Sequence, residues 1–153
     1  MQQKVIVTGA NGQLGRELQL TAPDRLRCEA LSREQLDIGD AAAVRDCLRS
    51  RKPQLVINAA AYTAVDQAES ESEPAARVNA VGPANLSVAC AEWGCRLIHV
   101  STDFVFDGES GRPYAPDSPT SPLGEYGRSK LQGELAVRDI LPTALILRTG
   151  WVY

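Results

Sequence analysis

The chain has 153 residues, 44% hydrophobic and 23% charged, the balance of a single globular domain large enough for a real core. A net charge of −3 with pI near 5.2 leaves no basic footprint for nucleic acid or an anionic membrane, so an anionic ligand must be held by local devices. No apolar run is long enough to span a bilayer and the first residues lead straight into a strand, so the expected compartment is the cytoplasm.

Residues 4–8, KVIVT, form a short β-branched run ending at glycine, as a buried parallel strand does. GANGQLG follows, then the helix-forming RELQL. Strand, glycine turn and helix in that order are the context of a dinucleotide cradle. Gly9 permits the tight turn, Gly12 a close backbone approach to a pyrophosphate, and Gly15 close packing of helix on strand. The helix N-terminus offers free N–H groups and a positive dipole to the phosphates. The spacing G-x-x-G-x-x-G is wider than the standard fingerprint, and TGANGQLG resembles the extended branch of the short-chain dehydrogenase/reductases, which act mostly on nucleotide sugars.

Pro23 and Asp24 break the first helix, and residues 28–31 read as a second strand ending at Ser32 and Arg33. An NAD site places an acid at this strand end for the ribose 2′-OH, whereas an NADP site uses a cation for the 2′-phosphate. Ser32 and Arg33 therefore point to NADP(H), with NAD(H) left open. After Leu36, Asp37 and Ile38, Asp40 is positioned to cap an alanine-rich helix over residues 41–50, closed by Pro53. Residues 55–58 are a third strand running into Ala59, Ala60 and Ala61, whose small side chains leave room for a flat ligand. The polar stretch 62–70 reads as a loop with a short helical turn. Pro74 opens a long helix over 75–93 that carries Asn79, bends or breaks its pattern at Gly82-Pro83 and stops at Gly94.

Residues 96–100 are a fourth strand ending in Ser101, Thr102 and Asp103, and hydroxyls at the carboxyl end of a parallel strand are where open α/β sheets carry chemistry. Glycines and prolines then make residues 107–123 an irregular loop, of a length that is more often functional than idle. It delivers the chain to YGRSK, residues 126–130, the opening of a helix that runs to about residue 140. Tyr126 and Lys130, four apart, share one helix face a turn apart. An ammonium beside a phenol lowers the phenol's pKa toward neutrality, which would make Tyr126 a tuned proton donor. Pro142 ends the helix, and residues 144–149 are a fifth strand. The four cysteines form no CxxC pair, so reduced thiols are expected. His99, inside an apolar strand, is expected to be packed rather than a ligand.

Five strands alternating with four helical patterns specify a doubly wound parallel sheet, a Rossmann-like three-layer α/β/α domain over residues 1–153, with expected strand order 3-2-1-4-5. The candidate site residues all fall on one rim, at the carboxyl ends of strands one to four and on the helix after strand four.

TGANGQLG, LDI, VINAAAYTAVDQAESE, STDFVFDG, SPLGEYGRSKLQGE and LRTGWVY occur in this order over nearly the whole chain, which thereby resembles the dTDP-4-dehydrorhamnose reductases. The resemblance implies that Gly9, Asn11, Gly12, Gln13, Leu14 and Gly15 lie on the pyrophosphate. Asp37 and Ile38 would frame the adenine, and Ala59, Ala60 and Ala61 the adjoining ribose and phosphate. Thr102, Tyr126 and Lys130 match the catalytic triad, with Asp103 beside it and Phe104 and Trp151 toward the sugar. The implied reaction of dTDP-rhamnose biosynthesis carries hydride from the nicotinamide to C4 of dTDP-4-dehydro-L-rhamnose. In it Tyr126 donates the proton, Lys130 holds the ribose hydroxyls and Thr102 bonds the carbonyl oxygen.

Phe104 departs from the family pattern, since many members have tyrosine there. Members are roughly twice this length, and the remainder carries most of a substrate domain that would be absent here. Some place magnesium at a dimer contact through a glutamate matching Glu17; its other ligands would lie beyond Tyr153, so no metal is predicted. A sheet ending at strand five has an open edge and face, from which a homodimer, or poor solubility, is expected if the polypeptide stops there. Two alternatives keep the fold: a non-catalytic NADP-binding subunit resembling the methionine adenosyltransferase regulatory subunit, and a related nucleotide-sugar epimerase or dehydratase. Against a dehydratase, Thr102-Asp103-Phe104 stands where those enzymes carry Thr-Asp-Glu.

Overall fold

The computed structural model describes residues 2–150. Its elements follow in the order β1 (Gln3–Thr8), α1 (Gln13–Leu20), β2 (Leu26–Leu31), α2 (Ala41–Arg51), β3 (Leu55–Asn58), α3 (Val65–Ala68), α4 (Ser72–Ala76), a π-helical turn (Arg77–Val81), α5 (Gly82–Trp93), β4 (Arg96–Thr102), a 3-10 turn (Asp103–Val105), α6 (Glu125–Ile140) and β5 (Leu145–Thr149). All five strands are parallel in one sheet, the Rossmann-like architecture expected.

The strand order is β2-β1-β3-β4-β5, not 3-2-1-4-5. The expected order needs a strand beyond β2. Here the residues after β2 turn instead, with Leu36 N–H on the Ser32 carbonyl and Asp40 N–H on the Asp37 carbonyl. The next strand, Leu55–Asn58, therefore pairs with β1. Side-chain chemistry agrees. Val5, Ile6 and Val7 of β1 are buried on both faces, as an interior strand must be, whereas β2 exposes Arg27 and Glu29, which suit an edge. Right-handed crossovers put α1 on one face and α2, α5 and α6, packed side by side, on the other. The core between that helical layer and the sheet gathers Ile6, Val44, Leu48, Val56, Leu86, Leu97 and Val137. Fully burying a side chain of this kind contributes about 1.5–3 kcal/mol. On β5, at the other edge, Leu145 and Leu147 remain 52% and 43% exposed.

Local signals work as expected at several ends. The Asp40 carboxylate accepts from the N–H groups of Ala42 (3.0 Å) and Ala43 (3.1 Å) at the start of α2. Gly94 closes α5 in the left-handed conformation, φ 65°. At Gly82-Pro83 the break in the pattern takes the form of a π turn over Arg77–Val81, in which Gly82 N–H bonds the Arg77 carbonyl, and the helix then continues as α5. Pro83 has no N–H to give the Asn79 carbonyl, so the ladder takes one extra residue there. The freed Asn79 carbonyl rests against Gly133 of α6, where any Cβ would overlap it. That contact sets how closely α6 approaches.

Candidate active site

At the carboxyl ends of the strands lies a cavity of about 870 Å³, within the usual range for ligand sites. It sits where the chain leaves β1 in one direction and β3 takes up the other side of it, the switch point at which open α/β sheets bind ligands. Gly9, Asn11, Gly12, Gln13 and Leu14 line one end. Gly9 has φ 77°, and a Cβ there would come within 2.8 Å of the Ala59 carbonyl, so this turn admits only glycine. Gly15 does not line the cavity; a Cβ on it would strike the Gly9 carbonyl, so its role is to let α1 close on the turn. No side chain caps α1. Its first N–H groups are left free at the cavity, a donor set that fits a pyrophosphate.

Along the β2 side, Arg33, Asp37 and Ile38 line the cavity. Ser32 does not: its hydroxyl donates to Glu34 at 2.6 Å and its N–H to the Gln35 side chain at 2.9 Å. Glu34, absent from the expected set, lines the cavity beside Arg33, and the Ser32 hydroxyl holds its carboxyl below the usual range. The acid three residues past the strand end was the available signal. Asp37 is braced by Arg77 at 2.8 Å. Ala59, Ala60 and Ala61 form the wall after β3. Behind them the buried Asn58 carboxamide oxygen accepts from Thr8 Oγ1 at 2.7 Å and from Ala60 N–H at 3.2 Å. Its nitrogen meets His99 Nδ1 at 3.0 Å. His99 is thus the packed strand residue expected, kept neutral by burial and by the Lys130 charge, with its pKa lowered to about 3.

Thr102, Asp103, Phe104, Tyr126 and Lys130 converge at the other end. Thr102 Oγ1 donates to Asp103 at 3.3 Å and accepts from Phe104 N–H at 3.2 Å. The Phe104 and Tyr126 rings meet edge to face, 5.5 Å between centroids. Gly127 lets α6 settle against the Phe104 carbonyl, which a Cβ would strike. The electrostatics of Tyr126 differ from the expected fall toward neutrality: its pKa is raised, chiefly by burial, with the Asp103 charge adding to the rise. The Thr102 hydroxyl, near enough to favour the phenolate although engaged with Asp103 and Phe104, pulls the other way without prevailing. The Lys130 ammonium donates to the Val100 carbonyl at 2.8 Å. Lys130 is only 2% exposed, and burial lowers its pKa to about 8, opposed by the Glu134 charge. At neutral pH the pair is therefore a protonated phenol and a charged ammonium.

Three further residues hold this end together. Asn79, from the π turn, accepts from Tyr62 N–H at 2.9 Å and donates to the Tyr62 carbonyl and to Ser129 Oγ, each at 3.1 Å. It clamps the loop after β3 to the first turn of α6, where Ser129 bonds the Tyr126 carbonyl. An asparagine in mid-helix was the only sequence signal. Glu134 and Arg148 pair across α6 and β5, and Arg148 also donates to the Pro116 carbonyl in the 107–123 loop. Trp151 lies outside the described residues. Among the described residues the four cysteines are free thiols, no cluster of three or more His, Cys, Asp or Glu is placed to hold a metal, and no helix is long and apolar enough to cross a membrane.

Sequence comparison brings relatives to this geometry. A dTDP-4-dehydrorhamnose reductase of Streptomyces griseus is 49% identical over 150 residues, covering 97% of this chain and 49% of the relative. One of Mycobacterium tuberculosis is 50% identical over 156 residues, covering 99% and 51%. The chain spans about half the length of the curated relatives it matches. Among solved structures, a dTDP-4-dehydrorhamnose reductase from Bacillus anthracis in complex with NADP superposes with TM-score 0.98 at 38% identity, covering 100% of this chain and 55% of that one. The Clostridium acetobutylicum reductase gives 0.94 at 41%, covering 98% and 54%. The family described as RmlD substrate binding domain matches residues 3–153, and to that family the chain belongs.

Proposed function

We propose that the chain holds NADP(H) along this cavity and carries the reacting residues for reduction of the C4 ketone of dTDP-4-dehydro-L-rhamnose to dTDP-L-rhamnose, a step of dTDP-rhamnose biosynthesis. The observation that carries the reading is the convergence, in one cavity, of an uncapped helix N-terminus behind a glycine turn with Thr102, Tyr126 and Lys130. The NADP bound by the Bacillus anthracis relative supports the choice of cofactor, and Arg33 in the cavity suits a 2′-phosphate. NADH remains the weaker option, since Glu34 beside Arg33 could accept from a ribose hydroxyl.

When bound, the nicotinamide would supply the hydride for the ketone carbon. Tyr126, protonated at neutral pH, gives its phenolic proton to the carbonyl oxygen as negative charge develops there, and Thr102 bonds the same oxygen. Lys130 holds the ribose hydroxyls with the ammonium protons left after its bond to Val100. Asp103 and Phe104 face the sugar, and Phe104, 50% exposed, offers an apolar edge where a hydroxyl would otherwise stand. Relatives named as reductases at 49% and 50% identity favour this reading over a regulatory subunit or an epimerase.

The test is NADPH consumption on adding the 4-keto sugar nucleotide. Tyr126→Phe should lower kcat by about 10²- to 10⁴-fold with NADPH affinity retained; unchanged turnover would remove Tyr126 from the mechanism. Self-association belongs to the same proposal, because Leu145 and Leu147 stand exposed on an edge strand. A dimer is the expected species, and a monodisperse monomer in sedimentation refutes it.

A further inference from the structure

Asp37 and Ile38, which line the β2 side of the cavity, are gripped from the helical layer. Arg77 Nη2 donates to Asp37 Oδ2 at 2.8 Å, while Asp37 Oδ1 accepts from Gly39 N–H at 2.9 Å. The Ile38 carbonyl accepts from Asn85 Nδ2 at 2.9 Å. Two glycines make room for this grip. A Cβ on Gly39 would lie 2.8 Å from Arg77 Nε, and one on Gly82 would press on the buried Ile38 side chain. Arg77 opens the π turn, and Asn85 lies beyond it in α5. In an uninterrupted α-helix two such residues, eight apart, stand about 80° round from each other; the extra residue in a π turn reduces that to about 20°. The turn thus brings both side chains onto one face, where they reach the same loop.

We propose that Arg77, together with Asn85, is a positioning residue for the adenosine end of the cofactor: the π turn sets the two in register to hold Asp37 and Ile38 as the wall against the adenine. The proposal rests on the reading of this cavity as a dinucleotide site with Asp37 and Ile38 at the adenine. Neither Arg77 nor Asn85 lines the cavity, so each acts through the loop it holds. Arg77 fixes the direction of the Asp37 carboxylate by a charge-assisted bond and offsets a negative charge that would otherwise face an anionic ligand. The side chains of the pair are 48% and 31% exposed, and ion pairs so open to water contribute little to global stability. Loss of Arg77 should therefore register in binding more than in melting.

The test is calorimetric titration with adenosine 2′,5′-bisphosphate, the adenosine portion of NADPH, which reads this end of the site without turnover. Arg77→Met should weaken its binding by about 3- to 10-fold, and Asn85→Ala by a similar factor. Weakened binding by the folded variant supports the proposal. A role confined to the fold predicts a lower melting temperature with parental affinity in the folded molecules, and parental affinity overturns the proposal whatever the melting temperature. If Arg77→Met does not fold, Asn85→Ala is read in its place on the same terms. Asp37→Ala tests the underlying reading. If it binds the bisphosphate as the parent does, or the parent binds none, the loop is not an adenosine wall and the proposal falls with that reading. Weakened binding by Asp37→Ala with parental binding by Arg77→Met overturns the proposal alone.

Discussion

Replacing Lys130 with methionine should stabilise the fold in a pH-dependent way while destroying the site. An ammonium normally titrating at 10.5 is brought down to about 8 by burial, a shift that corresponds to about 3 kcal/mol of cost for holding the charge in the folded state. Below pH 8 Lys130 is charged in both folded and unfolded chains, and the cost is fully present. Between pH 8 and 10.5 only the unfolded chain holds the proton, so stability rises with pH; above 10.5 the residue is neutral in both states and the cost is gone. The Lys130→Met variant has no such term. Its thioether also leaves the Val100 carbonyl without its partner, at about 1–3 kcal/mol, which offsets part of the gain at every pH alike. The informative quantity is therefore the difference between the two proteins. Urea unfolding from pH 7 to 10.5 should show the parent gaining about 3 kcal/mol on Lys130→Met. Cysteine and tyrosine titrations are common to both and cancel. Parallel stability curves would refute the claim that Lys130 is a buried charge maintained at a cost in stability.

His99→Gln should remove an acid sensitivity of the opposite limb. With its pKa lowered to about 3, His99 stays neutral while the unfolded chain takes up the proton below about 6.5, so the parent should lose about 4 kcal/mol relative to the variant as pH falls from 6.5 to 3; coincident acid limbs would count against it. Arg33→Ala should raise the KM for NADPH by about 10-fold or more and leave NADH little changed, because only NADPH carries the 2′-phosphate. Equal losses with both cofactors would assign Arg33 to the fold rather than to that phosphate.

The glycine turn between β1 and α1 was legible in the sequence because its rules act over a few residues. The Gly9 turn, the approach allowed by Gly15 and the uncapped start of α1 each follow from sterics and hydrogen bonding within one segment. The Asp40 cap, the Gly94 stop and the strand–helix alternation are of the same kind. Strand order was partly legible: the continuous apolar run of β1 against the exposed Arg27 and Glu29 of β2 marks interior and edge, but which strand flanks β1 depends on whether residues after Leu31 extend or turn.

The protonation state of Tyr126 and Lys130 belonged to the tertiary structure. Four-residue spacing set Tyr126 and Lys130 on one face, yet the phenol's acidity followed from burial and from Asp103, and the ammonium turned to a carbonyl of β4. The clamp from Asn79 to Ser129 spans 50 residues, and the Glu134–Arg148 pair joins a helix to a later strand. Desolvation and charge pairing depend on which distant segments close over a group, and short-range patterns carry no record of that. The sequence by itself determined the glycine turn and the spacing of Tyr126 and Lys130; the packed sheet decided which proton each of them holds and how firmly.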